Sequence, residues 1–403
     1  MKFSDITGQE EIKRRLRQTV ADQRVSHAQL FLGPEGSGKL AMALAYGQYI
    51  NCRNRTTEDS CGECPSCRKY NRLVHPDLHF IYPINKTKDQ NDKDVTSKDF
   101  LALWRDFLQS NQFYVTLPDW YDNIGIEKKQ GMINAEEADG INRTLAYKAY
   151  EAEYKVMIIW MVEKMNSTSA NKLLKNLEEP PDKTLFLLIA EDSEDIIPTI
   201  LSRTQLIRFP RLSDRNIEES LIKNFEADIE DASRIARLAD GNYIDALNRY
   251  YRHQADKEDG EAEDYLELER FRLFREWMRG CYTVSNQLKD YEKLTLTIAS
   301  VIGDSSREKI KESLTYALEM FHVCLQYNVG NIQSVRYDGE ELEFIKGFSK
   351  FIHPYNIDRF EEEFNKAIFH IERNALPSVV ITHLSLIISQ ILRIPATPQP
   401  KKV

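Results

Sequence analysis

Between an apolar tetrapeptide, Gln29–Leu32, and the helix-like run AMALAYGQYI, the chain reads Gly33-Pro-Glu-Gly-Ser-Gly38-Lys39-Leu40. The spacing is G-x-x-x-x-G-K, set between a strand and a helix. Gly33, Gly36 and Gly38 let backbone N–H groups close around a phosphate, and the helix N-terminus adds a partial positive charge. Lys39 is placed to reach the outer phosphates of a nucleotide such as ATP or ADP. This order of elements commits the region to a phosphate-loop α/β fold. The next position commits it to less, because a hydrolysing site needs a Ser or Thr hydroxyl there to hold Mg²⁺. Here it is Leu40.

The first 210 residues alternate short apolar runs with helical patterns. Candidate strands are Gln29–Leu32, His79–Tyr82, Val156–Met161, Thr184–Ala190 and Gln205–Phe209. Strands alternating with helices predict a parallel five-stranded sheet covered by helices on both faces. A polar stretch, Lys86–Asp99, reads as a loop opening an inserted helix at Phe100–Ser110, so 86–110 is an insertion. Beyond Pro210, residues 211–254 read as a small helical domain with turns near Ala227–Ile229 and Asp240–Gly241. Ala255–Asp264 is charged and almost free of apolar residues, either a linker or a solvated helix start. Helical segments then follow near Leu266–Val284, Tyr291–Gly303, Ser306–Tyr327, Asp338–Phe351, Ile357–Ile371 and Pro377–Leu392, giving an all-α domain over 265–395. The ending PATPQPKKV has the composition of a frayed tail. The expected domains are therefore 1–210, 211–254 and 265–395.

A hydrolysing phosphate-loop site also needs an Asp for Mg²⁺ and a Glu to activate water at the end of the third strand. That segment reads Lys155-Val-Met-Ile-Ile-Trp160-Met161-Val-Glu163. Trp160 and Met161 stand where the acids belong, and Glu163, two residues on, is expected to play a surface role. Losing a general base costs ~10²–10⁴ in rate, and losing the metal anchors removes further charge stabilisation. Two independent departures predict no useful ATP turnover here.

The six cysteines are unevenly spread. Cys52-x8-Cys61-x2-Cys64-x2-Cys67 supplies the four thiolates of a closed, tetrahedral structural Zn²⁺ site, with Gly62, Pro65 and Ser66 suited to its turns. Four buried reduced cysteines, or an iron–sulfur cluster, are the alternatives. Catalytic zinc is disfavoured, since four protein ligands leave no open position. Cys281 and Cys324 lie in helical sequence and read as buried thiols. His75-Pro76-Asp77 reads as a turn rather than a general base. Leu177–Pro181, LEEPP, reads as a helix stop in which two prolines end the helix Ser169–Glu178.

The formal net charge is −9, so no global basic footprint marks this chain as the main grip on DNA. No run of 18 apolar residues predicts a membrane span. The opening MKFSDITGQEEIKRR lacks an apolar signal core, so a soluble cytoplasmic protein is expected.

NKLLKNLEEPP (Asn171–Pro181), the following TLFLLIAEDSEDIIPTILSRTQLIRF, and the opening FSDITGQEEIKRRL…RVSHAQLFLGPEGSGK resemble the clamp-loader subunits of bacterial DNA polymerase III, the gamma/tau and delta-prime branch of the AAA+ proteins. The likeness covers roughly residues 1–250. It implies an AAA+ domain carrying a zinc knuckle, a helical lid and a helical collar, although the last 140 residues hold no matching motif. In that family gamma/tau keep their ATP-site residues and delta-prime does not. Leu40 and Trp160-Met161 place this chain with delta-prime. So do Ala190-Glu191, where a Thr would sense the γ-phosphate, and Ile244, where active relatives carry Arg. Ser202-Arg203-Thr204 matches the family's Ser-Arg-Cys motif, whose Arg enters the ATP site of the next subunit. Outside that context it would read as a capping Ser before a surface Arg.

The resemblance implies a non-hydrolysing subunit, or stator, of the polymerase holoenzyme. It would work with the gamma/tau ATPases and the delta subunit, and help place the beta clamp on primed DNA. The alternatives are a working gamma-type ATPase and a module that holds ATP or ADP for structure alone.

Overall fold

Five short strands form the centre of the first part of the chain: β1 (Ala28–Leu32), β2 (Leu78–Ile81), β3 (Lys155–Trp160), β4 (Thr184–Ala190) and β5 (Gln205–Arg208). They pair in parallel in the order β2-β3-β4-β1-β5. All five expected strands are present, each end within one residue of its expected position. Every residue of β1, β3 and β4 is buried, which is why these strands read as continuous apolar runs without alternation. This computed structural model describes residues 1–87, 95–126, 129–259, 265–283, 307–331, 337 and 339–396.

Alternate side chains of the strands enter two cores. Leu30, Ile159 and Leu188 face one cluster, whereas Phe31, Ile158 and Leu187 face the other. Helices α1 (Glu10–Ala21) and α2 (Lys39–Ile50) supply the Phe31 side, and all twelve residues of α2 are buried. Helix α3 (Pro65–Asn71) closes the cysteine loop. The insertion contains α4 (Leu101–Ser110), as expected to within one residue, and a further helix, α5 (Leu117–Asn123), lies between the insertion and β3. Thr96 and Asp99 form a capping box where the inserted segment turns into its helix. On the other face lie α6 (Ala135–Leu145), α7 (Ser167–Glu178) and the one-turn α8 (Pro198–Leu201).

Helices α9 (Asp214–Phe225), α10 (Ile229–Leu238) and α11 (Tyr243–Asp259) follow. Leu212, Ile217, Leu221, Ile235 and Tyr243 join the same buried cluster as Phe31 and Leu40. One compact unit therefore takes in 1–126 and 130–251, and the second takes in 252–403 with 127–129. Helix α11 runs to Asp259, so the charged stretch begins as helix; residues 260–264 lie outside the described set.

The regular elements of the second unit, among the described residues, are helices: α12 (Tyr265–Thr283), α13 (Arg307–Asn328), α14 (Gly339–Phe348), α15 (Ile357–Glu372) and α16 (Pro377–Ile391). Phe271, Phe274, Trp277, Phe321, Phe360 and Phe364 centre its core, and Cys281 and Cys324 are buried in it. The Trp277 indole N–H donates to Ser385 Oγ at 2.8 Å, which satisfies the one polar group that so large a buried ring brings in. The expected segment Tyr291–Gly303 and most of the tail lie outside the described residues. Among the described residues no helix is long and apolar enough to cross a membrane.

Candidate functional site

Strand register brings the loop elements together. Leu32 pairs with Ala190, and Trp160 with Ile189, so Gly33, Met161 and Glu191 emerge side by side at the carboxyl edge of the sheet, where open α/β folds bind ligands. Gly33 N–H donates to Ala190 O at 3.3 Å. A side chain at Gly33 would lie 2.3 Å from the Phe209 carbonyl oxygen, and one at Gly36 (φ +70°) would lie 1.8 Å from Asn242 Oδ1. Both glycines are thus required by close approach. Gly36 O accepts from Tyr243 N at 3.2 Å, and Asn242 Nδ2 donates to Glu35 Oε1 at 3.2 Å. The loop is buttressed from behind by the start of α11.

Lys39 is buried and turned onto its own loop. Its ammonium donates to Gly33 O at 2.7 Å, Pro34 O at 2.6 Å and Ser37 Oγ at 3.4 Å. Burial lowers its pKa, opposed by the carboxylates of Glu191, Glu163 and Glu35. Gly38, at the start of α2, faces Tyr114 from the β2–β3 connection: a side chain at Gly38 would sit 3.5 Å from the Tyr114 hydroxyl. That hydroxyl accepts from Thr7 N at 3.3 Å, and the Tyr114 ring packs edge-on against Tyr243 at 4.7 Å. Segments from the amino terminus, the β2–β3 connection and the last helices of this unit therefore meet over the loop.

Where a metal would be held in an active site, this chain has core. Leu40 and Trp160 are 5% and 4% exposed and belong to one hydrophobic cluster. Trp160 packs against Trp104 at 5.1 Å; Trp104 in turn stacks on Tyr82 at 4.2 Å and meets Trp120 edge-on at 4.9 Å. Three aromatic residues of the β2–β3 connection thus extend the aromatic cluster to which the third strand contributes Trp160.

The surface role expected of Glu163 is overturned. Met161 adopts a left-handed conformation (φ +57°) that folds Val162–Lys164 back as a short turn. Glu163 Oε1 accepts from Glu191 N at 2.8 Å, while Oε2 is buried without a hydrogen-bond partner among the described residues. Burial, reinforced by Glu191, pushes its carboxyl pKa up to about 7 from 4.5. Nothing in the sequence marks this, because it depends on one backbone reversal at Met161. Since folding raises this pKa, the fold favours the protonated acid, and stability is lost as pH rises from 4.5 to about 7. Glu163→Gln, which keeps the Oε1 acceptor, is expected to stabilise the first unit by about 3 kcal/mol at pH 8 and to change little at pH 4. Denaturant melts at the two pH values check this, and an equal effect at both would contradict it.

The four cysteines of the cluster converge, with all four sulfurs within 4.8 Å of one another. Cys52 and Cys61 sulfurs are 3.5 Å apart, and those of Cys61 and Cys67 3.9 Å. A tetrahedral site with Zn–S bonds of about 2.3 Å has sulfur–sulfur edges of about 3.8 Å, so the donor set and its spacing fit one ion. Backbone N–H groups of Cys61, Cys64 and Cys67 point at Cys52, Cys61 and Cys64 sulfurs at 3.3, 3.3 and 3.5 Å, as suits thiolates. Asp59, within the loop, accepts from Phe3 N and Ser4 N at 3.1 and 2.9 Å, tying the module to the start of the chain.

Arg203 lies just past α8, partly exposed and away from the phosphate loop's own contacts. Its Nε and Nη2 reach Glu178 Oε1 at 2.6 Å, and Nη1 donates to Thr199 O at 3.1 Å and Ser202 Oγ at 3.2 Å. Thr204 Oγ1 caps Ile200 O at 3.0 Å. The partnership with Glu178 was not anticipated. Glu178 ends α7 immediately before Glu179-Pro180-Pro181, so the helix-stop reading of that segment agrees with the structure. His75 and Asp77 form the turn into β2: burial alone would raise the Asp77 pKa, but backbone N–H groups of Tyr150, Glu151 and Ala152 hold it below the ordinary range.

Residues 8–213, just over half the chain, match the family model described as DNA polymerase III, delta subunit. The chain belongs to that family. Among curated relatives of the family, it is 27% identical over 252 residues to DNA polymerase III subunit tau of Bacillus subtilis, covering 61% of this chain and 37% of that protein. It is 28% identical over 215 residues to subunit delta' of the same organism, covering 53% of this chain and 51% of the relative. The chain thus spans about half, or less, of the length of these relatives. A gamma subunit-related protein of Thermotoga maritima superposes over 95% of this chain and 99% of its own at 14% identity, with a TM-score of 0.39. The fold assignment rests on the sheet order and the family match, not on that superposition.

Proposed function

We propose that this chain is a non-hydrolysing clamp-loader subunit of the delta-prime kind. It serves as a stator beside the gamma/tau ATPases and the delta subunit while the beta clamp is placed on primed DNA in the cytoplasm. The observation that carries the reading is the burial of Leu40 and Trp160 in one apolar core, at the two positions from which an ATPase of this fold would grip Mg²⁺. Residues 1–210 would be the AAA+ domain, 211–254 the lid and 265–395 the collar that joins the ring. Cys52, Cys61, Cys64 and Cys67 would hold a structural Zn²⁺, which cross-links the loop and takes no part in a reaction. Arg203 would reach the ATP of the neighbouring subunit, with Ser202 supporting it.

The two alternatives find less support. A working ATPase would need a base, and the Glu163 carboxyl is turned inward, with Oε2 buried and Oε1 tied to the Glu191 backbone. Nucleotide held for structure would have to draw Lys39 off its loop carbonyls and bring phosphate near Glu35, Glu163 and Glu191. ATP hydrolysis by the purified chain, with Mg²⁺ and primed DNA, tests the reading: turnover above background would refute it.

A further inference from the structure

We infer that Glu178 is the positioning residue of Arg203, fixing the guanidinium for a phosphate on a neighbouring subunit; this rests on the trans role proposed for Arg203. The two residues come from different elements, Glu178 from the last turn of α7 and Arg203 from the segment after α8. They are 25 residues apart in sequence. A guanidinium carries five N–H donors. Glu178 Oε1 accepts from Nε at 2.6 Å and lies within ion-pair distance of Nη2, also 2.6 Å, and Thr199 O and Ser202 Oγ accept from Nη1 at 3.1 and 3.2 Å. That arrangement clamps one edge and one corner of the plane and leaves an Nη2–H for an incoming anion. Its carboxylate partner does not consume the donor that phosphate needs.

The physical gain is preorganisation. A free arginine samples many rotamers and loses that freedom when it is fixed on a phosphate, and less is lost when its guanidinium is already held. Groups that stabilise a transition state act at full strength only when placed beforehand, and a misplacement of about 1 Å can cost 10²-fold. Position is set here by two backbones: α7 stops at Glu178 because Pro180 and Pro181 follow, and the turn after α8 is held by Thr204 Oγ1 on Ile200 O at 3.0 Å. The helix stop read in the sequence thereby acquires a second use, as the mount for the carboxylate.

The test uses the full complex of this chain with its cognate ATPase and delta subunits, reading ATP turnover stimulated by primed DNA and clamp. Glu178→Ala is expected to lower kcat about tenfold with KM for ATP and assembly unchanged, and Glu178→Gln, which keeps the acceptor, about threefold. In an Arg203→Ala background, Glu178→Ala is expected to cause no further loss, because the two residues act as one unit. Glu178 is half exposed, and the thermal midpoint of each variant chain separates a folding defect from a positioning one. Wild-type or faster turnover with Glu178→Ala, or additive losses in the double variant, would overturn the inference. Full turnover with Arg203→Ala would instead overturn the role of the arginine itself.

Discussion

Arg203→Ala is expected to slow DNA-stimulated ATP turnover by the adjoining ATPase by ~10³ or more, while this chain folds and assembles as before. A trans arginine at a γ-phosphate stabilises transition-state charge and is worth 10³–10⁵ in rate. The structure supplies the three things such a residue requires. Arg203 is partly exposed, so another subunit can reach it. Its backbone is fixed by a helical turn and by Thr204 Oγ1. Its side chain bonds to Glu178, Thr199 and Ser202 and to none of the loop residues of its own phosphate site. Truncation removes a partly exposed side chain and its bonds to Glu178, Thr199 and Ser202, so the main loss should fall on kcat at saturating ATP rather than on folding. Steady-state turnover by the reconstituted complex measures it. A change below threefold would mean that the neighbouring site is completed by some other residue.

Removal of the metal with a strong chelator, or Cys67→Ser, is expected to unfold the 52–71 module and to lower the thermal midpoint of the first unit. Cys67 is fully buried, and Cys52 and Cys64 are 4% and 7% exposed. Without an ion, four thiols in contact bury sulfur without the bonds that organise it. Structural zinc sites supply on the order of 10–16 kcal/mol of binding energy that is also folding energy. The disturbance should spread beyond the cysteines, because Asp59 holds the backbone of Phe3 and Ser4, and Glu58 pairs with Arg17 of α1 at 2.7 Å. Metal content of the purified chain should be one Zn²⁺, and limited proteolysis after chelation should cut within 53–63. Identical melts with and without chelator would show that the cysteines hold no structural metal.

Much of this was legible in the sequence because it is local. The strands could be read because β1, β3 and β4 are buried on both faces and therefore apolar at every position. The cysteine site follows from spacing, and the defect in the phosphate loop from single residues at fixed positions. What could not be read depends on meetings between distant segments. Glu163 became a buried acid through one left-handed residue at Met161. Tyr114 meets Gly38 through the β2–β3 connection, between α4 and a helix α5 that lies beyond the 86–110 insertion. Arg203 found Glu178 across two elements, and the exposed dipeptide Ser-Arg carries no trace of that carboxylate. A signal did exist for this packing: Trp104, Trp120 and Trp160 are three of the four tryptophans in the chain, and so much aromatic area seldom stays in loops.

At the chain's own phosphate loop, the positions that would hold Mg²⁺ are part of the apolar core. Steady-state ATP hydrolysis by the purified chain, with Mg²⁺ and with primed DNA, tests the consequence most directly. The account predicts no turnover above background, since Leu40 and Trp160 offer no metal ligand and Lys39 is engaged with Gly33 and Pro34. Turnover of order 0.1 s⁻¹ or more, below the usual enzyme range yet real, would contradict it and make the chain a motor rather than a stator.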